Sequence, residues 1–499
     1  MTAVCVMVLG TTSGAGKSWV TTALCRYYAR LGLKVAPFKA QNMSNNARVV
    51  VGLDGLQGEI GSAQYFQSFA ATAVPNVHMN PVLLKPEADT MSQVVLLGTV
   101  NRELTNLPWR DRSEKVWPYI CASLDQLRAE NDVVIIEGAG SPAEINLHAS
   151  DIVNMRVAVY AQANCWLVTD IDRGGAFAHL YGTWALLPLA ERRLIKGFVL
   201  NKFRGDASLL APGPQMLHEL TGVPVVATLP MWQQHGLPEE DGVFDDRTYS
   251  RGVVTKTIVI IAYPRISNLD EFQTLKNIHG VRLVWARAPR DCVGADWIVL
   301  PGSKSTASDL QWVREQGLDV TITEHAQRGG AVLGICGGLQ MLGKELFDPH
   351  GVDGSALGLG LLPLVTVFDR EKTVRRTVAK FGTVVGLWAA LSNVSLEGYE
   401  IHHGLTIEGS DALPDEVVLE VLPRLAWQNK EGTVIGCYLH GLFEDPAVLQ
   451  SLFGVNVPTL DDVFDGLANF LQTHVERNAL NDLIKRNEHA VSTPKNCGD

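Results

Sequence analysis

The chain has 499 residues, of which 46% are hydrophobic and 19% charged, and its net charge is −11. This length and composition predict a globular protein of two or more domains, and the negative charge argues against broad binding to nucleic acids or anionic membranes. Its eight cysteines show no paired or zinc-type spacing and no apolar run approaches the roughly 20 residues of a spanning helix, so we expect a cytoplasmic protein with no nucleic-acid or membrane partner.

Six short apolar runs alternate with helical stretches over residues 1–232, which we interpret as the first domain. The runs cover residues 4–9, 34–38, 133–136, 165–169, 197–200 and 224–229. Because they lack polar alternation, they predict strands that are buried on both faces, and hence a parallel, doubly wound α/β sheet. Ligands of such a sheet collect at the carboxyl ends of its strands.

The first run leads into a glycine-rich loop at residues 10–18, which precedes a helical pattern. A strand, a glycine loop and a helix N-terminus together predict a phosphate cradle built from backbone N–H groups. Lys17 is expected to reach the outer phosphates of a nucleotide, and the Ser18 hydroxyl to bind Mg²⁺. Three more residues of the loop are assigned to nucleotide binding: Thr12, Gly14 and Gly16. The alternative is a glycine turn that binds nothing, which the flanking elements disfavour.

Polar residues follow two of the later runs at the points where strands should end. Glu137 comes directly after the run 133–136 and is the predicted carboxylate partner of Mg²⁺ beside Ser18. Lys39 follows the run 34–38, so its ammonium is expected at the same edge of the sheet. A capping glutamate and a solvated lysine are the alternatives for these two residues.

The remaining organisation is read from breaks in the pattern. Residues 43–110 predict a long insertion, either a surface excursion or a wall for a large substrate. Residues 233–255 are polar and rich in Gly, Pro and Asp, and predict a linker. Apolar runs at 257–261, 297–300, 331–335 and 434–438 predict a second α/β domain over 256–450. Residues 451–499 predict a C-terminal helical extension and tail, with a helix over about 461–486.

Cys336 stands between a buried run and a helical pattern, with glycines on both sides. This arrangement predicts a nucleophile elbow, in which a tight strand-to-helix turn lifts the thiol out of the sheet. The N–H groups of Gly337 and of Gly302 are expected to stabilise an oxyanion. The alternative for Cys336 is a buried structural cysteine.

A thiol nucleophile needs a base, and His440 ends the last apolar run of the second domain. Its position at a strand end favours it over two other histidines, which stay open as alternatives: His402 and His403. Amidotransferases with a triad place a glutamate two residues after the catalytic histidine, but this chain has Leu442 there. The spacing of Glu444 puts it elsewhere, so the sequence identifies no group that orients His440.

The loop at residues 10–18 resembles that of dethiobiotin synthetase and its amidoligase relatives, and the chain as a whole resembles the cobyric acid synthase family. The likeness is carried by segments 38–46, 79–86, 137–147, 170–175, 201–206, 264–268, 334–338, 398–402 and 438–441. It implies a P-loop NTPase-like, dethiobiotin synthetase-like domain followed by an α/β glutamine amidotransferase-like domain. The oligomeric state is left open, and a homo-oligomer is compatible with the resemblance.

The resemblance also implies a reaction. Glutamine is hydrolysed at Cys336 to release ammonia. ATP converts a peripheral carboxylate of adenosylcobyrinic acid a,c-diamide to an acyl phosphate, and ammonia displaces the phosphate to leave an amide. The family repeats this reaction at the b, d, e and g side chains. Lys39 and Asn42 match the segment expected to contact the acyl phosphate or substrate, and Asn201 and Lys202 match the position that contacts the purine. Because neutral water protonates ammonia, we expect a shielded route between the two centres.

Two other functions are weighed against this one. The related cobyrinic acid a,c-diamide synthase amidates the same macrocycle at other positions, and the amide-rich stretch 39–46 disfavours it. A ParA-like ATPase switch usually carries an extra lysine early in its P-loop, where this chain has Thr11. An appended cysteine elbow would also have no role in such a switch.

Overall fold

The structure is a computed structural model that describes residues 2–88, 91–232, 235–238, 253–409, 417–454 and 459–486. Two α/β halves follow one another along the chain, an N-terminal half of residues 2–232 and a C-terminal half of residues 253–454. Most of the predicted linker at 233–255, and the predicted tail beyond residue 486, lie outside the described residues.

The described residues of the N-terminal half form twelve strands. They are β1 Val4–Gly10, β2 Val35–Phe38, β3 Gln41–Met43, β4 Ala47–Val51, β5 Gln57–Gly61, β6 Val82–Ala88, β7 Met91–Leu96, β8 Thr99–Val100, β9 Val133–Glu137, β10 Asn164–Asp170, β11 Ile195–Phe203 and β12 Val225–Pro230. Six of these form one sheet in the order β12-β11-β10-β1-β9-β2, and every neighbouring pair is parallel. These six strands are the six predicted runs, so the predicted parallel sheet is confirmed.

Helices cover both faces of this sheet, which makes it doubly wound. They are α1 Lys17–Arg30, α2 Ser62–Ala70, α3 Arg102–Thr105, α4 Trp109–Glu130, α5 Met155–Ala161, α6 Ala176–Leu186, α7 Leu189–Arg192 and α8 Gly213–Thr221. Val20 and Leu24 of α1 belong to the core on one face, and Ile120 and Leu124 of α4 belong to the core on the other. Side chains of β1 alternate between these two cores, as the near-continuous apolar run requires.

In the C-terminal half, thirteen strands lie within the residues that the structure describes. They are β13 Lys256–Ile261, β14 Ile266–Ser267, β15 Val281–Ala286, β16 Trp297–Leu300, β17 Gly302–Ser303, β18 Ala331–Ile335, β19 Glu345–Phe347, β20 Ala356–Leu357, β21 Leu364–Lys380, β22 Ser395–Glu408, β23 Val418–Leu422, β24 Ala426–Asn429 and β25 Val434–Cys437. The main sheet has the order β15-β13-β16-β18-β25-β24-β23, parallel from β15 to β25 and antiparallel beyond. The four predicted runs are its central strands. The strands β15, β23 and β24 were not predicted, because the edge strands β15 and β23 are partly exposed and β24 is only four residues long and half polar.

A second sheet of this half, in the order β20-β19-β21-β22, is dominated by the long antiparallel pair β21–β22. The helices that follow the N-terminal half are α9 Thr306–Glu315, α10 Leu318–Gln327, α11 Gly337–Leu342, α12 Pro446–Phe453, α13 Leu460–His474 and α14 Arg477–Leu483. Across the part of the chain that the structure describes, no helix combines the length and the apolar character needed to cross a membrane.

The last two helices return to the N-terminal half. Phe464 and Leu467 of α13 lie in the core cluster that also contains α1, and Arg26 of α1 pairs with Asp465 at 2.7 Å. The prediction of one helix over 461–486 is wrong. Helix α13 ends at Val475, which adopts an extended conformation and forms a bridge with Ala227 of β12. Pairing with the sheet therefore interrupts the helix.

The predicted insertion lies against the C-terminal half. Strands β3, β6, β7 and β8 form a small sheet, and β4 and β5 form a hairpin that contacts β21 and β22. The backbone N–H of Ala47 donates to Asn268 Oδ1 and that of Leu269 donates to Asn46 Oδ1, each at 2.9 Å. These reciprocal bonds align the backbones of the two segments. The insertion therefore forms a contact surface between the two halves, which we call the seam, and is not a free surface excursion.

Candidate active sites

The residues predicted to hold a nucleotide form one loop between β1 and α1. Thr12 is extended, a single 3₁₀ turn covers residues 13–15, and Gly16 has a φ of 101° before α1 begins. A Cβ at Gly16 would lie 2.1 Å from Nδ2 of Asn201, so a larger residue would be strained and would also collide. The ammonium of Lys17 is turned onto the loop, where it donates to the carbonyl oxygens of Thr12, Ser13 and Gly140 at 3.0, 3.3 and 3.3 Å.

Glu137 lies beside this loop, as expected from its position at the carboxyl end of a predicted parallel strand. Its Oε1 accepts hydrogen bonds from Ser18 Oγ and from Lys39 Nζ, both at 2.9 Å, and its Oε2 accepts from Gln67 Nε2. Burial alone would raise the pKa of Glu137, but the charge and hydrogen bond of Lys39, with help from Gln67 and Lys17, lower it overall. The carboxylate is therefore ionised at neutral pH.

Asn42 connects to the same carboxylate through a row of buried amides. Asn42 Nδ2 donates to Gln64 Oε1 at 3.3 Å, Gln64 Nε2 donates to Gln67 Oε1 at 3.5 Å, and Gln67 reaches Glu137. Gln64 and Gln67 lie on α2 and were not singled out from the sequence, although two buried glutamines at i, i+3 on one helix are an unusual pair.

Asn201 and Lys202 support the loop from the end of β11. Asn201 Nδ2 donates to the Ala15 carbonyl at 2.8 Å, and Lys202 Nζ donates to the Gly14 carbonyl at 2.8 Å and to Asp170 Oδ2 at 3.0 Å. The two residues predicted to contact a purine therefore lie against the glycine loop. Asp170, which was noted only as part of a segment, holds the lysine in place.

These residues have the chemistry that a nucleotide and Mg²⁺ require. A glycine loop at a helix N-terminus presents N–H groups to phosphate, and Lys17 is close enough to exchange its carbonyl partners for phosphate oxygens. The Ser18 hydroxyl and the Glu137 carboxylate meet at 2.9 Å, and both are hard oxygen ligands. Mg²⁺ keeps several waters and substrate oxygens, so two protein ligands suffice.

The second site is centred on Cys336, between β18 and α11. Its backbone has φ 52° and ψ −107°, a strained conformation that matches the predicted nucleophile elbow. The glycines are required by packing, because a Cβ at Gly338 would lie 1.9 Å from the carbonyl oxygen of Leu300 in β16. Cys336 is nearly buried, and its Sγ lies 3.7 Å from the carbonyl oxygen of Ile401.

His440 is oriented by Glu271, a residue that the sequence did not identify. His440 Nδ1 lies 3.1 Å from Glu271 Oε1, and the N–H of Gly441 donates to Glu271 Oε2 at 3.0 Å. Nε2 of His440 is buried and has no hydrogen-bond partner among the described residues. Burial lowers the pKa of His440, but the charges of Glu271 and Cys336 outweigh this effect and raise it to about 10. The Cys336 thiol contributes to this raised pKa by a side-chain interaction as well as by charge, which places it beside the ring of His440.

The alternative histidines have other partners. His402 stacks on Tyr438 with ring centroids 4.0 Å apart, and its ring nitrogens contact Gly404 O and Glu400. Nδ1 of His403 lies 3.2 Å from a backbone carbonyl oxygen, and burial lowers its pKa to about 4. His402 also contacts a carboxylate, but both of its ring nitrogens already have partners, whereas Glu271 engages only Nδ1 of His440 and the other ring nitrogen lies beside the thiol site, so the geometry favours His440.

The two glycines assigned to an oxyanion site border the cysteine and the histidine. A Cβ at Gly302 would lie 2.7 Å from Cε1 of His440, and one at Gly337 would lie 2.8 Å from the backbone nitrogen of Ser303. Strand β17 therefore packs directly between the elbow and the histidine. It is fixed there by antiparallel pairing with β14.

A pocket beside Cys336 is lined by both halves of the chain. The N-terminal half contributes Asn45 and Lys85, and the C-terminal half contributes residues that include Ser303, Lys304, Gln340, Phe368, Lys372 and His403. Lys85 and Lys372 both pair with the buried Glu59, and these two ammonium groups lower the pKa of that carboxyl to about 2 against the opposing effect of burial. The insertion thus forms part of the wall of the thiol site.

We predict that Glu271→Gln lowers the kcat of the expected glutamine hydrolysis by about 100-fold, the lower end of what a general acid–base contributes, because the bridge to Tyr399 still holds the backbone of His440. Loss of the carboxylate lowers the pKa of His440, so the protonated ring is lost at a lower pH. The alkaline limb of kcat should therefore move down from about 10. A pH profile of glutamate release checks this, and an unmoved limb would contradict it.

Family models match both halves. Residues 6–239 match the family described as the CobQ/CobB/MinD/ParA nucleotide binding domain, and residues 257–448 match the CobB/CobQ-like glutamine amidotransferase domain. A nucleotide-binding domain is thus joined to a glutamine amidotransferase domain, which defines a glutamine-hydrolysing, ATP-dependent ligase. The amidotransferase domain also removes the ATPase-switch alternative, since such a switch has no use for it.

Relatives extend the match over the whole chain. The cobyric acid synthase of Variovorax paradoxus strain S110 is 70% identical over 97% of this chain and 100% of its own length. Those of Polaromonas naphthalenivorans strain CJ2 and Acidovorax sp. strain JS42 are 68% and 69% identical, over 97% and 96% of this chain and 100% and 97% of their own lengths. The chain belongs to the cobyric acid synthase family, and it carries out an amidation in cobalamin biosynthesis.

Proposed function

We propose that the chain amidates the b, d, e and g carboxylates of adenosylcobyrinic acid a,c-diamide, giving adenosylcobyric acid, with nitrogen released from glutamine at Cys336. The observation that carries the proposal is the pocket beside Cys336, because its wall includes Asn45 and Lys85 of the nucleotide-binding half. A glutaminase centre that opens onto a nucleotide-binding domain can deliver its product there.

At the first centre, the Cys336 sulfur attacks the carboxamide carbon of glutamine. His440 exchanges a proton with the sulfur and protonates the departing ammonia, while Glu271 holds its other ring nitrogen. The N–H groups of Gly302 and Gly337 stabilise the oxyanion of the tetrahedral intermediate. Water then hydrolyses the thioester, which releases glutamate and restores the thiol.

At the second centre, a substrate carboxylate takes the terminal phosphoryl group of ATP, because a carboxylate oxygen is otherwise a poor leaving group. Lys17 and the loop containing Thr12, Gly14 and Gly16 neutralise the charge of the phosphates. Asn201 and Lys202 position the nucleotide base, and Lys39 and Asn42 contact the acyl phosphate. Mg²⁺, held by Ser18 and Glu137, supplies further neutralisation of the phosphate charge when it is bound.

Ammonia passes from the first centre to the second within the protein, where it attacks the acyl carbon and displaces inorganic phosphate to leave the amide. In water at neutral pH it would be protonated and diluted, whereas an enclosed path keeps its effective concentration high. The seam between the hairpin β4–β5 and the strands β21–β22 lies next to the pocket of Cys336 and supports such a path.

The proposal is tested with purified protein, glutamine, ATP, MgCl₂ and adenosylcobyrinic acid a,c-diamide. We expect mass spectra of four successive amidations, with one glutamate and one ADP released for each. The same mixture with cobyrinic acid should give no a,c-diamide. Amidation of cobyrinic acid at the a and c positions would instead identify a cobyrinic acid a,c-diamide synthase.

A further inference from the structure

Arg48 of β4 is an arginine of the N-terminal half that is buried against the glutaminase centre. Its side chain is 1% exposed, and its guanidinium hydrogen-bonds the carboxylates of Asp270 and Glu444 and the hydroxyl of Tyr399. All three partners belong to the C-terminal half. The hydrophobic core of neither half requires a buried arginine at this position. Its charged and polar partners all lie across the seam, so its role is to connect the two halves.

Each of these partners is attached to the pair that activates the thiol. Asp270 directly precedes Glu271 on a short 3₁₀ helix, Leu269–Asn277. Tyr399 stacks on the His440 ring with centroids 5.4 Å apart, and the backbones of the two residues exchange hydrogen bonds of 2.9 and 3.2 Å. Glu444 lies in the loop after His440, with its N–H bonded to the carbonyl of Gly441. Arg48 therefore contacts both sides of the His440–Glu271 pair without reaching the thiol pocket.

Electrostatics explain why a cation is needed at this position. Asp270, Glu271 and Glu444 are crowded into one buried region, where burial and mutual repulsion raise the pKa of Asp270 and raise that of Glu444 to about 7. The guanidinium of Arg48 opposes both effects. Without it, Asp270 and Glu444 would either take up protons or move apart, and either change would loosen the two segments that hold Glu271 against His440.

The helix α2 packs on Arg48 and also reaches the proposed nucleotide site. The guanidinium lies 5.2 Å from the ring centroid of Phe66 and 5.8 Å from that of Tyr65, both on α2. The next residue of α2, Gln67, donates to Glu137 of the proposed Mg²⁺ site. Helix α2 therefore contacts both Arg48 and the carboxylate of Glu137 within a single turn.

We propose that Arg48 is a positioning residue for glutamine hydrolysis, through which the nucleotide-binding half holds Glu271 and His440 in register with Cys336. The inference rests on the proposed roles of Cys336 and His440. If Arg48 has this role, the glutaminase centre is complete only when the β4–β5 hairpin lies against the C-terminal half.

The test uses the full chain with Arg48→Met, measuring glutamate release from glutamine and, separately, amidation of the corrinoid driven by ammonium chloride. We expect the glutaminase kcat to fall by about 30- to 100-fold, because a small displacement of His440 and Glu271 from Cys336 slows the reaction by this order. The KM for glutamine should stay within about twofold. Ammonium-driven amidation should stay within about twofold, since it does not use the thiol centre. Arg48→Lys keeps one charged contact and should recover part of the kcat.

Arg376→Met is the matched control, because Arg376 lies on the same seam but its guanidinium is half-exposed and pairs with Glu397 of its own half. Its kcat should stay within about twofold of the unmodified chain. If Arg48→Met does not fold, Tyr399→Phe removes one partner of Arg48 and should still lower kcat about three- to tenfold. An unchanged glutaminase kcat in the Arg48 or Tyr399 variant, or an equal loss of ammonium-driven amidation, overturns the inference. Glutamate release that survives Cys336→Ala would instead overturn the proposed function.

Discussion

Cys336→Ala should abolish glutamine-dependent amidation while leaving the ammonium-driven reaction intact. We expect glutamate release to fall by at least about 10⁴-fold, because no other group can form the thioester once the nucleophile is removed. With ammonium chloride as the nitrogen source, the rate should stay within about twofold, since the acyl phosphate is made at a separate centre. Assays of glutamate and of amidated corrinoid on the same samples check both expectations.

Cys437→Ala is the matched control for this variant. Cys437 is buried on the neighbouring strand β25, where burial raises the pKa of its thiol to about 12, and its sulfur accepts a hydrogen bond from the N–H of Leu439. A thiol with this pKa supplies almost no thiolate at neutral pH. Both activities should therefore persist in Cys437→Ala. Loss of glutaminase in this control but not in Cys336→Ala would show that the nucleophile has been wrongly assigned.

Lys17→Met should have the opposite pattern. The side chain is buried and methionine has a similar length, so the loop retains its packing but loses the ammonium that faces the phosphates. We expect amidation to fall by about 10²- to 10³-fold with either glutamine or ammonium, as when one preorganised charge is removed from a transition state. Glutamate release in the absence of ATP should be unchanged. Release of ADP and of glutamate, measured in parallel, separates the two effects.

Lys196→Met controls for the general loss of a positive charge, because Lys196 lies on β11 in the same sheet but is exposed. It should amidate at the unmodified rate. If Lys17→Met released ADP at the unmodified rate, the loop containing Lys17 would have no role in phosphoryl transfer. The nucleotide site would then have to lie elsewhere. Taken with Cys336→Ala, the two variants assign each half-reaction to its own centre.

Local sequence patterns were sufficient for the framework and for part of each site. Strands buried on both faces appear as short apolar runs, so all six strands of the N-terminal sheet and the four central strands of the C-terminal sheet were predicted. The glycine loop and the cysteine elbow were also predicted, since each is a strand, a turn and a helix within about twenty contiguous residues. The position of Glu137 at a strand end predicted that it would lie near Ser18, and the pairing of β9 with β1 places the two side chains 2.9 Å apart.

Only the tertiary structure identified the partners that are distant in the chain. Glu271 is 169 residues from His440, and the contacts of Arg48 with Asp270 and Glu444 span 222 and 396 residues. The return of α13 to α1 depends on Arg26, 439 residues before its partner Asp465, and the break after α13 depends on the bridge of Val475 to the distant Ala227. Periodicity and spacing report which face of an element is buried but not which other element covers it. The sequence by itself therefore determined the two reactive loops, whereas the folding of the chain determined which residues orient them.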